Sequence, residues 1–418
     1  MKIAVVGGGS TYTPELVDGF GRLADVLAVD ELALVDPASE RLDLVAGVGR
    51  RILARLGSRT RITTSAALEP AVEGAAAVLV QLRVGGQAAR AEDETWPHDT
   101  DCIGQETTGP GGLAKALRTV PVVLDIAETV RRLAPDAWII DFTNPVGIVT
   151  RALLQAEHRA VGLCNVAIGF QRRFAADLGV APDEVELDHV GLNHLTWERA
   201  ARVGGVDRMP ELLGRHGADI AEEIELPEAL LHDLGFVPSY YLRYFYAHDE
   251  VLREQRANPS RAAEVARIEA ELLALYADPT LDHKPELLGQ RGGAFYSEAA
   301  VQLAASLLGG TRPSRQVVNL RNDGTLPFLP DDAVIEVPAM VGPDGVRAVE
   351  LAPLQPLYAG LVAAVSAYED LALDAALRGG RERVFHTLLA HPLVGQIDRA
   401  KALTDALVAH NRAHLAWA

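Results

Sequence analysis

Two residues that can bind a metal stand at the ends of predicted strands in the middle of the sequence. Cys164 follows the apolar run Ala160–Leu163 and precedes Asn165, and His194 lies between Asn193 and Leu195. A thiolate and an imidazole are metal ligands, and ligands from two separate elements would leave coordination positions for substrate or water. A cysteine also occurs as a small buried hydrophobe, and a histidine as a hydrogen-bonded core residue. The residues alone leave both interpretations open.

A tyrosine-rich segment supplies a candidate base. The stretch 238–246 contains four of the nine tyrosines, Tyr241 among them. A tyrosine acts as a general base only when a nearby cation or metal lowers its pKa from about 10. Packing is the alternative explanation for such an aromatic cluster.

Further polar residues follow other predicted strands. Asn144 comes shortly after a strand that ends at Asp141, and the glycine-rich stretch 104–112 suits a substrate-contacting loop or a plain turn. Three arginines, Arg83, Arg90 and Arg291, are candidates for binding anions, although arginines are common on protein surfaces.

The elements that position these residues begin with a nucleotide-binding pattern. The strand Ile3–Val6 leads into Gly7-Gly8-Gly9-Ser10-Thr11 and a helix at Pro14–Leu23. Such a turn presents backbone N–H groups and a helix N-terminus to a pyrophosphate. Asp36, after the strand Glu31–Val35, is placed to bind an adenosine ribose, which favours NAD over NADP because a carboxylate repels a 2′-phosphate. Tyr12 replaces the third glycine of the full motif, so a purely geometric turn is the alternative.

Strands and helices alternate through residue 165, which predicts the α/β class: an N-terminal Rossmann-like, doubly wound parallel sheet. The pattern then changes, and we expect a second, α+β domain for substrate binding and oligomerisation. The predicted domains are residues 1–165, which bind NAD, and 166–418, which bind substrate and metal. In the second domain we expect a strand around 193–197 and helices over Leu351–Ala376 and Arg381–Leu415.

Composition excludes several classes of protein. The formal net charge of −18 disfavours nucleic acid and anionic membranes as partners. Two cysteines in 418 residues argue against a disulfide scaffold, and the sequence has neither a signal peptide nor an apolar run of membrane-spanning length. We therefore expect a cytoplasmic protein.

The order of motifs along the whole chain resembles glycoside hydrolase family 4, the NAD- and divalent-metal-dependent glycosidases. The motifs are Gly7-Gly8-Gly9-Ser10-Thr11-Tyr12-Thr13-Pro14, Arg83-Val84-Gly85-Gly86, Gly104-Gln105-Glu106-Thr107, Asn144-Pro145, Cys164-Asn165, Gly191-Leu192-Asn193-His194 and Tyr241-Leu242-Arg243-Tyr244. Within the family, the Cys-Asn pair and the segment Arg291–Glu298 look like the 6-phospho-β-glucosidase branch. The resemblance departs at 97–102, where this chain lacks the usual stretch before Gly-Gln-Glu-Thr, and this leaves the aglycone preference open.

The resemblance implies a set of roles. Cys164 and His194 would hold the metal, usually manganese, although thiolate and imidazole do not themselves select manganese. Tyr241 would be the base, and Asn144 would contact the sugar at the catalytic centre. Arg90 would bind the 6-phosphate, and the other substrate residues would be Asn165 and Arg291. The implied NAD-binding residues are Gly7, Gly9, Ser10, Thr11, Asp36 and Arg83.

The implied reaction is hydrolysis of a 6-phospho-β-glucoside through NAD-mediated oxidation at C3. Removal of the C2 proton, elimination of the aglycone, addition of water and re-reduction would follow, and the metal would polarise the C3 carbonyl. The resemblance also implies a sugar phosphate as partner and a homodimer or homotetramer. Three alternatives stay open: an NAD-dependent dehydrogenase of the hydroxyacid or malate type, a non-catalytic NAD-binding protein, and a family 4 glycosidase for a non-phosphorylated glycoside.

Overall fold

A computed structural model describes residues 1–291 and 295–418 of the chain; residues 292–294 of the segment Arg291–Glu298 lie outside the described residues. Six parallel strands form the first part of the fold. They are β1 (Lys2–Val6), β2 (Glu31–Val35), β3 (Arg61–Ser65), β4 (Ala77–Val80), β5 (Trp138–Asp141) and β6 (Ala160–Gly162). Strands such as β4 are apolar throughout because both faces of a parallel sheet are covered by helices.

Helices connect and cover these strands. The first seven are α1 (Thr13–Arg22), α2 (Ser39–Arg55), α3 (Glu69–Val72), α4 (Gly86–Asp93), α5 (Gly109–Leu133), α6 (Val146–Gln155) and α7 (Val166–Leu178). The parallel strands lie in the order 6-5-4-1-2-3, with the sequence order reversing at β1. Ligands bind at such a reversal, beyond the carboxyl ends of the strands.

A small antiparallel sheet follows. Its strands are β7 (Val185–Leu192), β8 (Leu195–Val203), β9 (Val206–Asp207) and β10 (Val237–Pro238). The strand predicted around 193–197 begins only at Leu195, because Asn193 and His194 form a two-residue turn between β7 and β8, with Leu192 paired to Leu195. His194 has a φ of 62°, which a continuous strand cannot contain.

Three later strands extend the first sheet in antiparallel fashion. They are β11 (Ser314–Arg321), β12 (Val334–Gly342) and β13 (Gly345–Ala348), and β11 pairs with β6. The first sheet thus has nine strands in the described residues, and β12 also packs against β7 of the small sheet. The α/β class with a Rossmann-like parallel sheet is confirmed, and the domain boundary at 165/166 stays a prediction.

The remaining helices surround both sheets. They are α8 (Met209–Ile224), α9 (Glu228–Leu234), α10 (Arg243–Tyr246), α11 (His248–Ala257), α12 (Arg261–Tyr276), α13 (Leu287–Gln290), α14 (Tyr296–Leu307), α15 (Pro356–Arg378), α16 (Arg381–Ala390) and α17 (Ile397–Asn411). Within the described ranges, every helix is too short or too polar to cross a bilayer.

The C-terminal helices differ from the prediction in two places. The helix predicted from Leu351 begins at Pro356, because a residue that precedes proline avoids the helical conformation and Pro353 also interrupts this stretch. The helix predicted over Arg381–Leu415 is wrong as a single element, because Pro392 and Gly395 separate α16 from α17.

Candidate active site

One large cavity lies beyond the carboxyl ends of the parallel strands. Its volume is about 1380 Å³, more than the roughly 300–1,000 Å³ of a pocket for one small molecule, so it has room for a cofactor and a substrate. Most of the predicted site residues line it: Gly7, Gly9, Ser10, Asp36, Arg83, Arg90, Asn144, Asn165, His194, Tyr241 and Arg291. Thr11 and Cys164 are buried and lie outside this lining.

The glycine turn after β1 is held tightly against its neighbours. The backbone N–H groups of Gly7 and Gly8 donate to the carbonyl of Val35 at 2.9 and 2.8 Å. Gly7 has a φ of 83°, and a Cβ atom there would lie 2.6 Å from the carbonyl oxygen of Gln81. Only glycine fits this position, because a Cβ atom would clash with the backbone that follows β4.

A carboxylate and a guanidinium mark the same end of the cavity. Asp36 accepts hydrogen bonds from the backbone N–H groups of Gly9 at 3.1 Å and Ala38 at 2.9 Å. Arg41 donates to the carbonyl of Gly9 at 2.6 Å and pairs with Glu269 at 3.4 Å. Asp36 is therefore fixed at the glycine-turn end of the cavity, and its predicted contact with the ribose stays a prediction.

Two predicted residues lie deeper at this end. The Thr11 hydroxyl donates to Glu269 at 3.3 Å, and Arg291 pairs with the same carboxylate at 2.8 Å. The Arg291 guanidinium also lies 5.9 Å from the ring centre of Tyr12. Arg291 thus belongs to the glycine-turn end of the cavity, and its predicted contact with the substrate stays a prediction.

The two predicted metal ligands and the predicted base come together at the other end. His194 occupies the turn between β7 and β8, and its ring stacks on the ring of Tyr241 with centroids 3.6 Å apart and planes within 8°. Cys164 follows β6 and interacts electrostatically with Tyr241. Gly191 permits the tight turn, since a Cβ there would lie 2.0 Å from the Leu195 carbonyl oxygen.

Hydrogen bonds fix the tautomer of His194. The amide oxygen of Gln105 accepts from the backbone N–H groups of Thr107 and Thr108 and from the Thr107 hydroxyl, the last at 2.7 Å. Because the Thr107 hydroxyl donates its hydrogen to Gln105, its oxygen is left to accept from Nδ1–H of His194 at 2.8 Å. The lone pair of His194 is therefore on Nε2, the nitrogen left for a metal.

Burial sets the protonation of these groups. It lowers the pKa of His194 to about 4, so the imidazole is neutral. Burial raises the pKa of the Cys164 thiol, and Glu336 raises it further. It also raises the pKa of the Tyr241 hydroxyl, with contributions from Cys164 and Glu106, while Arg90 opposes them. The protein alone therefore holds a neutral thiol, imidazole and phenol.

The donor set suits a catalytic metal better than a structural one. In the described ranges, no three His, Cys, Asp or Glu side chains are grouped to hold an ion. Cys164 and His194 would supply two ligands and leave the others to substrate or water, as catalytic sites do. Asn144 also lines the cavity, and its buried Oδ1 atom lacks a hydrogen-bond partner among these residues. An unsatisfied buried acceptor of this kind is available to a ligand.

A cluster of charges lies beside this centre. Glu106 pairs with Arg83, with Lys115 at 2.5 Å and with Arg90 at 3.3 Å, and Arg90 also binds Glu94 at 2.7 Å. Burial alone would raise the pKa of Glu106, but the three cations hold it well below its usual range. Burial and Arg83 lower the pKa of Lys115 to about 7. Two guanidinium groups and Lys115, which is only partly protonated near pH 7, face two carboxylates, and these groups can attract an anionic ligand.

The divergent segment 97–102 borders the cavity. His98 lines it and contacts the Gln255 amide at 3.2 Å, and Cys102 is buried against the Leu393 carbonyl.

The sequence analysis missed three residues of the site: Thr107, Lys115 and Glu336. Thr107 lies within the glycine-rich stretch 104–112, and Lys115 follows its end by three residues. Glu336 lies in β12, where no neighbouring residue indicates a functional role.

Comparison with known proteins agrees with this geometry. The sequence model of "Family 4 glycosyl hydrolase" matches residues 2–180, and that of the family's C-terminal domain matches residues 189–394. A probable 6-phospho-β-glucosidase of Bacillus subtilis is 37% identical over 99% of this chain and 97% of its own length. The 6-phospho-β-glucosidase of Escherichia coli is 34% identical over 99% of this chain and 96% of its own.

A solved structure extends the comparison to the fold. The 6-phospho-β-glucosidase of Thermotoga maritima, solved with manganese, NAD⁺ and glucose-6-phosphate, superposes with a TM-score of 0.91 at 32% identity. The match covers 99% of both chains. The likeness therefore includes both ends of the cavity as well as the nucleotide-binding sheet.

Proposed function

The chain belongs to family 4 of the glycosyl hydrolases, and from that premise we propose that it hydrolyses 6-phospho-β-glucosides with NAD and a divalent metal. One observation carries the proposal. Tyr241 is stacked on His194 at 3.6 Å, beside Cys164, in a cavity that continues to the glycine turn after β1. A base, a metal site and a nucleotide site thus share one space.

NAD fits the glycine-turn end of the cavity. Gly7 and Gly9 would let the backbone approach the pyrophosphate, and Asp36 would accept hydrogen bonds from the adenosine ribose. Ser10 and Arg83 also line this space, whereas Thr11 lies beneath the turn. The nicotinamide would supply a hydride acceptor for C3 of the sugar and would return the hydride at the end.

A divalent metal, manganese by family likeness, would bind the Cys164 sulfur and Nε2 of His194. Such an ion supplies Lewis acidity toward the oxygen on C3 and so acidifies the proton on C2. Thr107 holds the imidazole in the required tautomer. Asn144 presents its unsatisfied amide oxygen to the sugar, and Asn165 lines the same wall.

Tyr241 is proposed to take the proton from C2. Its surroundings in the protein alone keep the phenol protonated, so it needs additional positive charge to act as a base. Arg90 already acts in that direction, and a cation at Cys164 and His194 would add to it. The C1–aglycone bond then breaks by elimination, and no carboxylate nucleophile is required.

Arg90 is proposed to bind the 6-phosphate. It lines the cavity beside Arg83 and Lys115, which can also attract an anionic ligand. Glu94 and Glu106 fix its guanidinium in advance, so little side-chain entropy is lost on binding. The homodimer or homotetramer stays a prediction.

The test is hydrolysis of a chromogenic 6-phospho-β-glucoside with NAD and Mn²⁺ supplied together, singly or not at all. We expect turnover only with both, no net NADH, and little turnover of the unphosphorylated β-glucoside or the 6-phospho-α-glucoside. Net NADH formation with substrate would instead identify a dehydrogenase. Equal kcat/KM for phosphorylated and plain glucosides would assign the chain to a non-phosphorylated substrate.

A further inference from the structure

A chain of buried charged groups lies behind the Cys164 and His194 centre. His189 of β7 contacts Glu198 of β8 at 2.5 Å through Nδ1 and Glu336 of β12 at 3.1 Å through Nε2. His189 and Glu198 are 0% exposed and Glu336 is 1% exposed. Placing three ionisable groups in a protein interior is costly unless each is paired, so this arrangement calls for an explanation.

The second oxygen of Glu336 reaches toward both proposed metal ligands. Its Oε2 accepts from the Asn193 amide at 2.9 Å and from the Asn319 amide at 2.8 Å. Asn193 immediately precedes His194 in the turn. Asn319 of β11 is the residue that pairs with Gly162, the last residue of β6, two positions before Cys164. One carboxylate therefore ties together the two elements that carry the ligands.

The turn needs such support. His194 has a φ of 62°, a conformation that costs a non-glycine residue free energy unless its surroundings enforce it. Asn193 is held by Glu336, and Nδ1 of His194 is held by Thr107 on the other side. Thr107 sets the direction of the ring, while Glu336 sets where the turn lies relative to β6.

Charge favours the same role. Burial alone would lower the pKa of His189, but Glu198 and Glu336 raise it to about 10, so the ring is an imidazolium. Burial raises the pKa of Glu198, whereas His189, Asn193 and Asn319 lower the pKa of Glu336 despite its burial, so the negative charge of the group is held on Glu336. Negative charge behind the ligands of a cation strengthens its binding.

We propose that Glu336 is a positioning residue that fixes the distance between Cys164 and His194 and thereby sets the affinity of the site for its divalent metal. This inference rests on the metal site of the proposed function. It adds a residue that touches neither substrate nor metal and acts through Asn193 and Asn319.

The chain offers a matched pair of variants. In Glu336→Gln, three donors face the side chain: His189 on one oxygen and both asparagines on the other. If the new NH₂ group faces Asn193 and Asn319, it meets two donors and the tie to both asparagines is lost. If it faces His189, the ring can accept only by giving up its Nε2 proton, and the ionic pair with His189 is lost. In Glu198→Gln, the retained oxygen still accepts from His189, and NH₂ takes the place of Oε2, which has no partner within the described ranges. Both changes replace a carboxyl group by an amide at equal burial.

The experiment measures Mn²⁺ binding to chelator-treated protein by electron paramagnetic resonance of the free ion, without substrate. We expect Glu336→Gln to raise the Kd for Mn²⁺ by about 10- to 100-fold, the usual effect of losing a partner of metal ligands, and Glu198→Gln by less than about threefold. The Kd for NAD should be unchanged in both variants. If Glu336→Gln does not fold, Asn319→Ala removes only the hydrogen bond between Asn319 and Glu336 and should weaken Mn²⁺ binding several-fold.

Two results would overturn the inference alone. The first is a Kd for Mn²⁺ close to that of the wild type in folded Glu336→Gln, or in Asn319→Ala where Glu336→Gln does not fold. The second is equal weakening of Mn²⁺ binding by Glu336→Gln and Glu198→Gln. The latter would show a general effect of replacing a buried carboxyl group. Wild-type protein that binds no Mn²⁺ would overturn the proposed metal site and this inference together, and Cys164→Ser provides the reference for a lost ligand.

Discussion

Replacing Tyr241 by phenylalanine isolates the proposed proton transfer from the packing around it. The Tyr241 ring lies flat on His194 at 3.6 Å, and phenylalanine keeps that ring. The substitution therefore removes only the hydroxyl, and we expect the Kd values for Mn²⁺ and NAD to stay within about threefold of the wild type, because the stack that orients His194 persists.

The loss should appear in turnover. General base catalysis contributes typically 10²–10⁴-fold, so kcat should fall by that factor, equivalent to about 3 to 5 kcal/mol in the activation barrier. A purely structural tyrosine would behave differently. Its substitution by phenylalanine would leave turnover near normal, and only Tyr241→Ala, which removes the stack on His194, would lower the stability of the fold.

The assay follows the hydrogen on C2 in deuterated water. Oxidation at C3 followed by elimination must break the C2–H bond, whereas direct displacement at C1 leaves it intact. Wild-type product should therefore carry deuterium at C2, read by NMR or mass spectrometry. Substrates deuterated at C2 or C3 should react more slowly where those steps limit the rate.

Two neighbouring tyrosines provide controls. Tyr244, whose ring lies 6.2 Å from that of Tyr241, lines the same cavity, and Tyr244→Phe should exchange normally. Tyr296 also interacts electrostatically with Cys164, and the kcat of Tyr296→Phe should fall by less than tenfold. Loss of exchange in Tyr296→Phe but not in Tyr241→Phe would assign the base to Tyr296. Wild-type product without deuterium at C2, formed without NAD, would reject the redox mechanism itself.

Four other expectations follow from single residues. Cys164→Ser should weaken Mn²⁺ binding and remove most activity while leaving NAD binding intact; normal turnover after chelation would contradict this. Arg90→Ala should raise KM for the phosphorylated substrate and erode its preference over the plain glucoside, and an unchanged ratio of kcat/KM values would place the phosphate elsewhere. Thr107→Val removes the acceptor that fixes the His194 tautomer and should weaken Mn²⁺ about tenfold in a metal titration, whereas Thr107→Ser should not. Burial lowers the pKa of His391 to about 3, below its value near 6.5 in the unfolded chain, so the unfolded state binds more protons and the stability of the fold falls as the pH drops below 6.5. His391→Asn can still accept from the Leu393 N–H and should recover up to about 3 kcal/mol of this lost stability at pH 4, measured by urea unfolding.

The parallel part of the fold could be predicted because its signals are local. Runs such as Ile3–Val6 and Ala77–Val80 are apolar throughout, and Gly7 follows the first of them. The antiparallel extension by β11, β12 and β13 could not be predicted in the same way. Its partner strand β6 lies about 150 residues earlier, and nothing in the composition of β11 specifies that pairing.

In the site too, the residues with local sequence signals could be predicted, whereas their arrangement in space could not. Cys164, His194 and Tyr241 could be named because their side chains do chemistry and they occur in motifs. Their relative placement could not, since it depends on the left-handed turn at His194, which contains no glycine of its own, and on Glu336, far away in sequence. The sequence also paired Arg291 with Arg90 as substrate residues, whereas the structure places Arg291 beside Glu269 at the glycine turn.

The burial that positions these groups also explains why the chemistry needs a cation. A thiol and a phenol removed from water hold their protons, and the imidazole stacked on the phenol stays neutral. The nearby positive charges of Arg83, Arg90 and Lys115 are shared with Glu106, so they do not ionise Cys164 or Tyr241 by themselves. A divalent ion held by Cys164 and His194 would favour the thiolate and the phenolate together, because Tyr241 stacks on His194 and interacts with Cys164. In the proposed mechanism the ligand and the base would therefore become active in the same event, and proton removal at C2 would depend on occupancy of the metal site.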